Sequence, residues 1–149
     1  MLIKLAYRLL RVYWYFVRPV TLGVRILLIK EGKFILVKHS YQDAWYLPGG
    51  GVKRGETLEQ AIHREAAEEC GAILNQIRFV GVYDNLVDYK SDHVSLFLSE
   101  DFTLNKVMDN EIERVSAFAI QQLPENISPG SRRKIEAYIN ENLNPTGMW

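Results

Sequence analysis

The sequence is poor in cysteine: among its 149 residues only Cys70 carries a thiol, so no internal disulfide can form. This excludes the small secreted proteins that depend on disulfides and gives no sign of an oxidising compartment. Net charge is also lacking, because 18 Lys and Arg residues balance 18 Asp and Glu residues. A protein dedicated to binding nucleic acid would be basic overall, so we expect no stable nucleic-acid partner. The length fits one domain with a single core.

Acidic residues are absent from the first 30 positions, where six basic residues lie. The first acid is Glu31. Six of the 18 basic residues are therefore N-terminal, which leaves 12 bases against 18 acids, a net charge of −6, in residues 31–149. This separation of charge suggests two surfaces with different tasks.

Residues 1–18 are predicted to form one amphipathic helix and residues 19–149 the folded domain. Basic side chains at spacings of 4, 3 and 7 follow one stripe of this helix, and apolar side chains cover most of the rest: Lys4, Arg8, Arg11 and Arg18 against Leu2, Ile3, Leu5, Leu9, Leu10, Val12, Trp14 and Phe16. Four cations argue against a membrane span. Two interpretations stay open: the helix lies in the plane of a membrane surface, or it packs on the domain or on a second copy, giving a homodimer. We expect a cytoplasmic protein, peripheral at the membrane in the first case.

The remaining pattern is that of an α/β protein. Strands are predicted at Val20–Ile29 and Phe34–Lys38 and near 77–83, 93–99 and 112–119, with a loop over residues 40–55. A helix is predicted over about 57–70, with Thr57 and Gln60 as a capping box and Gly71 as its C-terminal cap. A last helix should begin after Ser128, with Pro129 at its first position, and run to about Asn142.

Three glutamates of the predicted 57–70 helix share one face, because Glu65, Glu68 and Glu69 stand at i, i+3 and i+4. Carboxylates so close together repel one another. Oxygen-seeking divalent cations, Mg²⁺ or Mn²⁺, would remove that repulsion and would also bind phosphate oxygens. The alternative is an ordinary solvated acidic face.

The surrounding segment, GGVKRGETLEQAIHREAAEECGA from Gly50 to Ala72, resembles the Nudix box. Its glycine and charged positions follow the register G-x5-E-x7-R-E-U-x-E-E-x-G-U, with small alanines, Ala66 and Ala72, where the family prefers bulky aliphatic residues. The lead-in Trp45–Gly51 and the later Glu111–Pro124 stretch are also similar to that family. The resemblance implies a Nudix-like α/β/α sandwich with a mixed sheet, to which residues 1–18 add a helix outside the common core.

The resemblance also implies roles for the residues of the box. Glu65, Glu68 and Glu69 should be metal ligands, with the Gly50 carbonyl as an additional one, and Glu65 should orient or deprotonate the attacking water. Arg64 should pair with Glu56 and brace the loop against the helix, while Gly71 ends the helix. Many members recruit a further acid from outside the box, and Glu111 is the candidate here, ahead of Glu113 and Asp109.

Candidates for binding the substrate lie around the box. Basic side chains would grip phosphates, and aromatic faces would stack on a base or sugar. The candidates are Arg25, Lys53, Arg54, Trp45, Tyr46 and Tyr89. Any aromatic residue in this set could instead belong to the core, and any of the cations could be a solvated surface charge.

The function implied is a Mg²⁺-dependent pyrophosphohydrolase, with Mn²⁺ as the other metal. Its substrate would be a small nucleoside diphosphate derivative, cleaved by water attack at phosphorus. One alternative is a Nudix-fold module that binds a nucleotide and regulates a partner, although such a module should have lost acids from the box. Another is removal of pyrophosphate from RNA 5′ ends, which the acidic balance of residues 31–149 disfavours.

Overall fold

The computed structural model describes residues 12–87, 89–105 and 111–149. Residues 12–17 are helical, and the helix ends before Arg18, whose φ of 45° lies in the left-handed region. Pro19 disfavours helical geometry at the residue that precedes it, as the sequence predicts. The predicted helix is thus confirmed over residues 12–17, and its earlier part, residues 1–11, lies outside the described residues.

Within the described residues, seven strands form one mixed sheet: β1 (Val20–Lys30), β2 (Lys33–His39), β3 (Trp45–Tyr46), β4 (Ala72–Val87), β5 (Lys90–Leu104), β6 (Ile112–Ala119) and β7 (Thr146–Met148). Their order is β3-β2-β1-β5-β4-β7, and β6 pairs with the other side of β2. Besides the helical residues 12–17, the described part of the chain contains α1 (Leu58–Cys70), α2 (Pro129–Ile139) and a 3₁₀ turn at Ile120–Gln122. Among the described helices, none is both long and apolar enough to cross a membrane.

Strand β1 lies at the centre and links the two halves of the sheet. It pairs in parallel with β5 from Val20 to Leu28, then antiparallel with β2 at Ile29 and Lys30. Alternate residues of a strand point to opposite faces. Ile26 therefore packs in the cluster that contains α1, and Leu27 in the cluster that contains Ile135 of α2. The two clusters form the predicted α/β/α sandwich.

The sequence pattern missed the two shortest strands of the sheet. Strand β3 has two residues inside the predicted 40–55 loop, and β7 is exposed along its whole length at the sheet edge. Strands β4 and β5 extend well beyond the predicted 77–83 and 93–99. The start of β4 was missed because register shifts there break the alternation of apolar residues. Helix α2 ends at Ile139, before the predicted end near Asn142.

Candidate active site

The glycine loop between β3 and α1 is held along β1 by main-chain hydrogen bonds. The amide of Ile26 donates to the Pro48 carbonyl (3.0 Å), that of Val24 to the Gly50 carbonyl (2.9 Å), and that of Val52 to the Leu22 carbonyl (3.0 Å). The Gly50 carbonyl accepts one hydrogen bond in this ladder, and because a carbonyl oxygen has two lone pairs, its role as a metal ligand stays a prediction. The loop forms a floor beside the side chains of α1.

Two glycines of this loop are required for different reasons. Gly49 has a φ of +138°, and a Cβ there would lie 2.0 Å from the Val24 carbonyl oxygen. A Cβ on Gly50 would lie 2.6 Å from the nearer carboxylate oxygen of Glu65. Gly49 thus lets the loop approach β1, and Gly50 leaves room for the Glu65 carboxylate.

Helix α1 begins and ends as the sequence predicts. The Thr57 hydroxyl accepts from the Gln60 amide, and the Gln60 side chain accepts from the Thr57 amide, which completes the capping box. Gly71 closes the helix with a φ of 65°. Because Ala61, Ile62 and Ala66 are buried under the sheet, the helix presents its glutamates at the edge of the glycine loop.

The three glutamates are not equivalent. The Glu68 side chain is 48% exposed, the Glu65 side chain 12%, and the Glu69 side chain 7%. The Glu69 carboxylate accepts from the Gly49 amide (2.8 Å) and lies 3.4 Å from Nε2 of His39. The most buried acid is therefore tied to the loop and to β2.

Arg64 organises the other two glutamates. Its Nη1 donates to Glu65 (2.6 Å) and Glu68 (3.1 Å), while Nε and Nη2 hold both oxygens of Glu56 at 2.7 and 2.9 Å. The pairing with Glu56 was predicted. Glu68 lies four positions after Arg64, so these two are helical neighbours, and Glu65 and Glu68 are held by the same guanidinium that holds Glu56.

The guanidinium of Arg64 and the Lys53 amide both hydrogen-bond to the Glu56 carboxylate, and they lower its pKa from 4.5 to about 2. The same contacts raise the pKa of Arg64 above its ordinary value, against the opposing effect of partial burial. Glu56 and Arg64 therefore both stay charged at neutral pH. This fixed pair fastens the loop after the glycines to α1.

The glutamates line a cleft of about 520 Å³ that gathers many of the predicted residues: Arg25, Gly50, Lys53, Arg64, Glu65, Glu68, Glu69 and Glu111. Glu111 joins the cleft from the start of β6, and its carbonyl accepts from the Ser40 amide (2.9 Å). Glu113 lies 3.5 Å from Nζ of Lys38. Asp109 lies outside the described residues.

Four predicted substrate-binding residues are not among the residues that line this cleft: Trp45, Tyr46, Arg54 and Tyr89. Trp45 is buried in the core, edge-on to Phe118 at 5.0 Å, so its assignment to substrate binding is wrong. Tyr89 packs edge-on against Tyr15 at the far end of the β4–β5 hairpin. Alternation along β3 explains the difference from Tyr46, which is half-buried and faces the Arg25 guanidinium at 5.9 Å.

Arg25 connects the cleft to a second cavity. Its Nη1 donates to the carbonyls of Leu47 (2.9 Å) and Gly49 (2.6 Å), so part of its role is to support the loop. The second cavity, of about 710 Å³, shares Arg25 and Gln42 with the cleft and extends past Tyr46, Asp92 and Arg133 to Trp149. A volume of this order holds a small-molecule ligand.

His39 also lines the cleft, although the sequence pattern did not single it out. The imidazole is nearly buried, contacts Glu69, and lies beside Tyr41 with ring centroids 5.2 Å apart. No local spacing signals this contact, because 30 positions separate His39 from Glu69. Only the pairing of strands around β1 brings the end of β2 to α1.

The donor set suits a hard divalent cation. Glu65 and Glu68 converge on one nitrogen of Arg64, which shows that a positive charge can be held between them, and Gly50 keeps the space beside Glu65 clear. Among the described residues, no three His, Cys, Asp or Glu side chains are close enough to hold one ion by themselves. Mg²⁺ typically binds one or two carboxylates and takes its other ligands from water and substrate phosphates, which fits this arrangement.

Comparisons with known proteins agree with this geometry. The NUDIX domain family matches residues 19–138. An RNA pyrophosphohydrolase of Hydrogenovibrio crunogenus is 46% identical over 56 residues, which is 38% of this chain and 34% of that protein. An RNA pyrophosphohydrolase of Erwinia tasmaniensis is 34% identical over 61 residues, 41% of this chain and 35% of that protein. This chain thus spans about a third of the length of these relatives.

Solved structures share the fold over most of the chain. The crystal structure of a MutT NUDIX hydrolase from Burkholderia pseudomallei has a TM-score of 0.70 and 25% identity, covering 78% of this chain and 96% of that one. A NUDIX hydrolase from Nitrosomonas europaea also has a TM-score of 0.70, with 24% identity, and covers 87% and 78%. The second likeness is one of fold alone.

Proposed function

This chain belongs to the NUDIX domain family, and from that premise we propose that it is a divalent-metal-dependent hydrolase of nucleoside diphosphate derivatives. The observation that carries the proposal is the cleft in which Glu65 and Glu68 converge beside Gly50, with every charged position of the box present. A module that only binds nucleotides would not need this complete set. The reaction is attack of water on one phosphorus of the pyrophosphate, with departure of the other phosphate as leaving group.

We assign the cation to Glu65 and Glu68, with Glu69 as a further predicted ligand, and propose Mg²⁺ or Mn²⁺ as the ion. When bound, the cation supplies positive charge that neutralises the phosphate oxygens and favours ionisation of water. Glu65 is confined by Gly50 and Arg64, so it is the acid best placed to accept a proton from water. Glu111, across the cleft, is the second candidate for this base.

The cations of the cleft bind the substrate in this proposal. Lys53 lies on the loop between the glycines and α1 and lines the cleft, so it can contact a phosphate. Arg25 lies where the cleft meets the second cavity and can contact the other phosphate. Tyr46, at the wall of that cavity, offers an aromatic face to a base or sugar.

A second candidate is the removal of pyrophosphate from RNA 5′ ends. It is favoured by the 46% identity with the RNA pyrophosphohydrolase of Hydrogenovibrio crunogenus, although the matched stretch is 38% of this chain. The chemistry at phosphorus is the same, and only the group beyond the phosphates differs. The substrate panel must therefore include a 5′-triphosphorylated oligonucleotide.

The test is phosphate release by the purified chain in Mg²⁺ or Mn²⁺. The panel holds nucleotide sugars, ADP-ribose, dinucleoside polyphosphates, NADH, nucleoside triphosphates and the RNA. Glu68→Gln removes a ligand charge and should lower the rate about a hundredfold or more on whichever substrate is cleaved. Glu59→Gln, on the exposed first turn of the same helix, is the matched control and should keep the wild-type rate. Equal rates for the wild type and Glu68→Gln would overturn the assignment.

A further inference from the structure

Exposed apolar side chains cluster on a surface formed mainly by residues 12–20, and we call it the N-terminal surface. Its members are exposed and come from the helical residues 12–17, the start of β1 and the end of β4: Val12, Tyr13, Phe16, Val17, Val20 and Leu86. Phe16 is 78% exposed, Val20 73% and Leu86 66%. Exposed apolar side chains that cluster in this way mark a binding surface more often than isolated ones do.

The parts of this surface are joined by contacts. The ring of Tyr15 meets that of Tyr89 edge-on at 5.2 Å, and Nζ of Lys90 lies 4.1 Å above the ring of Trp14. The Ser91 amide donates to the Pro19 carbonyl at 3.1 Å. These contacts fix residues 12–17 to the β4–β5 hairpin, so the helical segment and the strand ends form one continuous face.

The sequence that leads into this surface carries charge of one sign. Residues 1–18 contain four basic residues and no acid, whereas residues 31–149 are net negative. In the hairpin sequence, the negative charge of Asp88 and the positive charge of Lys90 cancel, so they do not alter this excess of basic residues. A partner for this surface must therefore accept exposed apolar and aromatic groups together with an excess of positive charge.

We infer that the N-terminal surface binds an anionic lipid bilayer, with the helical segment in the plane of the interface. A bilayer interface accepts apolar side chains, suits Tyr and Trp at headgroup level, and attracts basic residues. A second copy fits less well, because a twofold contact sets the same patch against itself and would oppose the positive charge of one copy with that of the other. The rest of the domain does not cover Phe16 or Val20, which remain exposed.

The experiment is co-sedimentation of the full chain with vesicles of phosphatidylcholine alone or mixed with phosphatidylglycerol. The chain should bind the mixed vesicles and bind the neutral ones far more weakly, and added salt should weaken binding as it screens charge. Lys90→Gln should weaken binding by about fivefold, the contribution of one basic residue at such a surface. Equal binding to both kinds of vesicle, or to neither, overturns the inference.

A matched pair of variants locates the contact. Phe16→Glu should weaken binding about tenfold or more, because it removes an apolar anchor and adds a repelled charge. Ile139→Glu, at the end of α2 and also exposed, should bind as the wild type does. Circular dichroism melts check that both variants fold, and equal loss in both variants overturns the assignment to this surface. Sedimentation velocity that shows a wild-type dimer and a Phe16→Glu monomer, without vesicle binding, identifies a second copy as the occupant and overturns the lipid proposal.

Discussion

Gly49→Ala should mainly lower the stability of the fold, whereas Gly50→Ala should mainly lower the rate of hydrolysis, although the two positions are adjacent. A Cβ on Gly49 meets the Val24 carbonyl oxygen at 2.0 Å, and the residue has a φ of +138°, so neither the backbone nor its neighbour can yield easily. A Cβ on Gly50 meets only the end of the Glu65 side chain, at 2.6 Å and beyond, and its φ is not in the left-handed region.

The size of each effect depends on which atoms must move. For Gly49→Ala, backbone strain of about 1–3 kcal/mol and overpacking of similar size sum to roughly 3 kcal/mol or more of lost stability. In a domain of this length that corresponds to a fall in Tm of about 6–12 °C. For Gly50→Ala, the gain from a less flexible unfolded chain, about 0.4–1 kcal/mol, offsets the cost of rotating a carboxylate, so stability should change by less than about 1 kcal/mol.

For the rate of hydrolysis, Gly50→Ala should be the more harmful of the two substitutions. Rotation of the Glu65 carboxylate by the Gly50→Ala methyl group misplaces the proposed base and ligand, and a displacement of this size can cost about a hundredfold in rate. The measurements are thermal melts and phosphate release for both variants at saturating Mg²⁺. A Gly50→Ala variant that is folded and fully active would show that the Glu65 position does not matter to the chemistry. A Gly49→Ala variant with the wild-type Tm would refute the close approach of the loop to β1.

Two further predictions concern charged groups outside that loop. Arg64→Lys keeps the charge but loses the bidentate contact with Glu56, so the rate of hydrolysis should fall about tenfold. The pKa of Glu56, about 2 in the wild type, should rise toward 4.5. NMR titration of the Glu56 carboxyl measures this change, and an unchanged pKa would contradict the prediction. Burial lowers the pKa of Lys134 to about 8 from 10.5, so the unfolded chain binds more protons between these values and the contribution of Lys134 to stability rises with pH across that range. Urea melts from pH 7 to 10 should therefore show that the free energy of unfolding of the wild type rises with pH relative to that of Lys134→Met. Parallel pH curves for the two proteins would contradict the burial argument.

Local signals explain which parts of the site were predictable. Helix α1 was correct in its bounds and in both caps, because Thr57, Gln60 and Gly71 act within one turn of the helix. The pairing of Arg64 with Glu56 was correct as well, but it was implied by family resemblance, since eight positions separate the two residues. The alternation of β1 predicted a buried strand and also decides which of its residues face α1.

The error at Trp45 has a different cause, which is the direction of side chains outside regular helices. Trp45 and Tyr46 are adjacent aromatic residues in a predicted loop, and only the pairing of β3 with β2 turns one into the core and leaves the other near Arg25. The Gly50 carbonyl points to β1 for the same reason, because the loop continues the ladder of main-chain hydrogen bonds. Strand pairing of this kind depends on partners distant in sequence, so spacing alone does not reveal it.

The three glutamates of α1 differ in their contacts because of such distant partners. One shared helical face predicted all three as metal ligands, yet the Glu69 carboxylate accepts from the Gly49 amide and contacts His39, while Glu65 and Glu68 share one nitrogen of Arg64. In the proposed function a cation would compete with Arg64 for Glu65 and Glu68, whereas the bonds of Arg64 to Glu56 use its other nitrogens, Nε and Nη2. At Glu69 the same cation would compete with the hydrogen bond that fixes the glycine loop. The geometry therefore separates two acids that share Arg64 from one that holds the glycine loop.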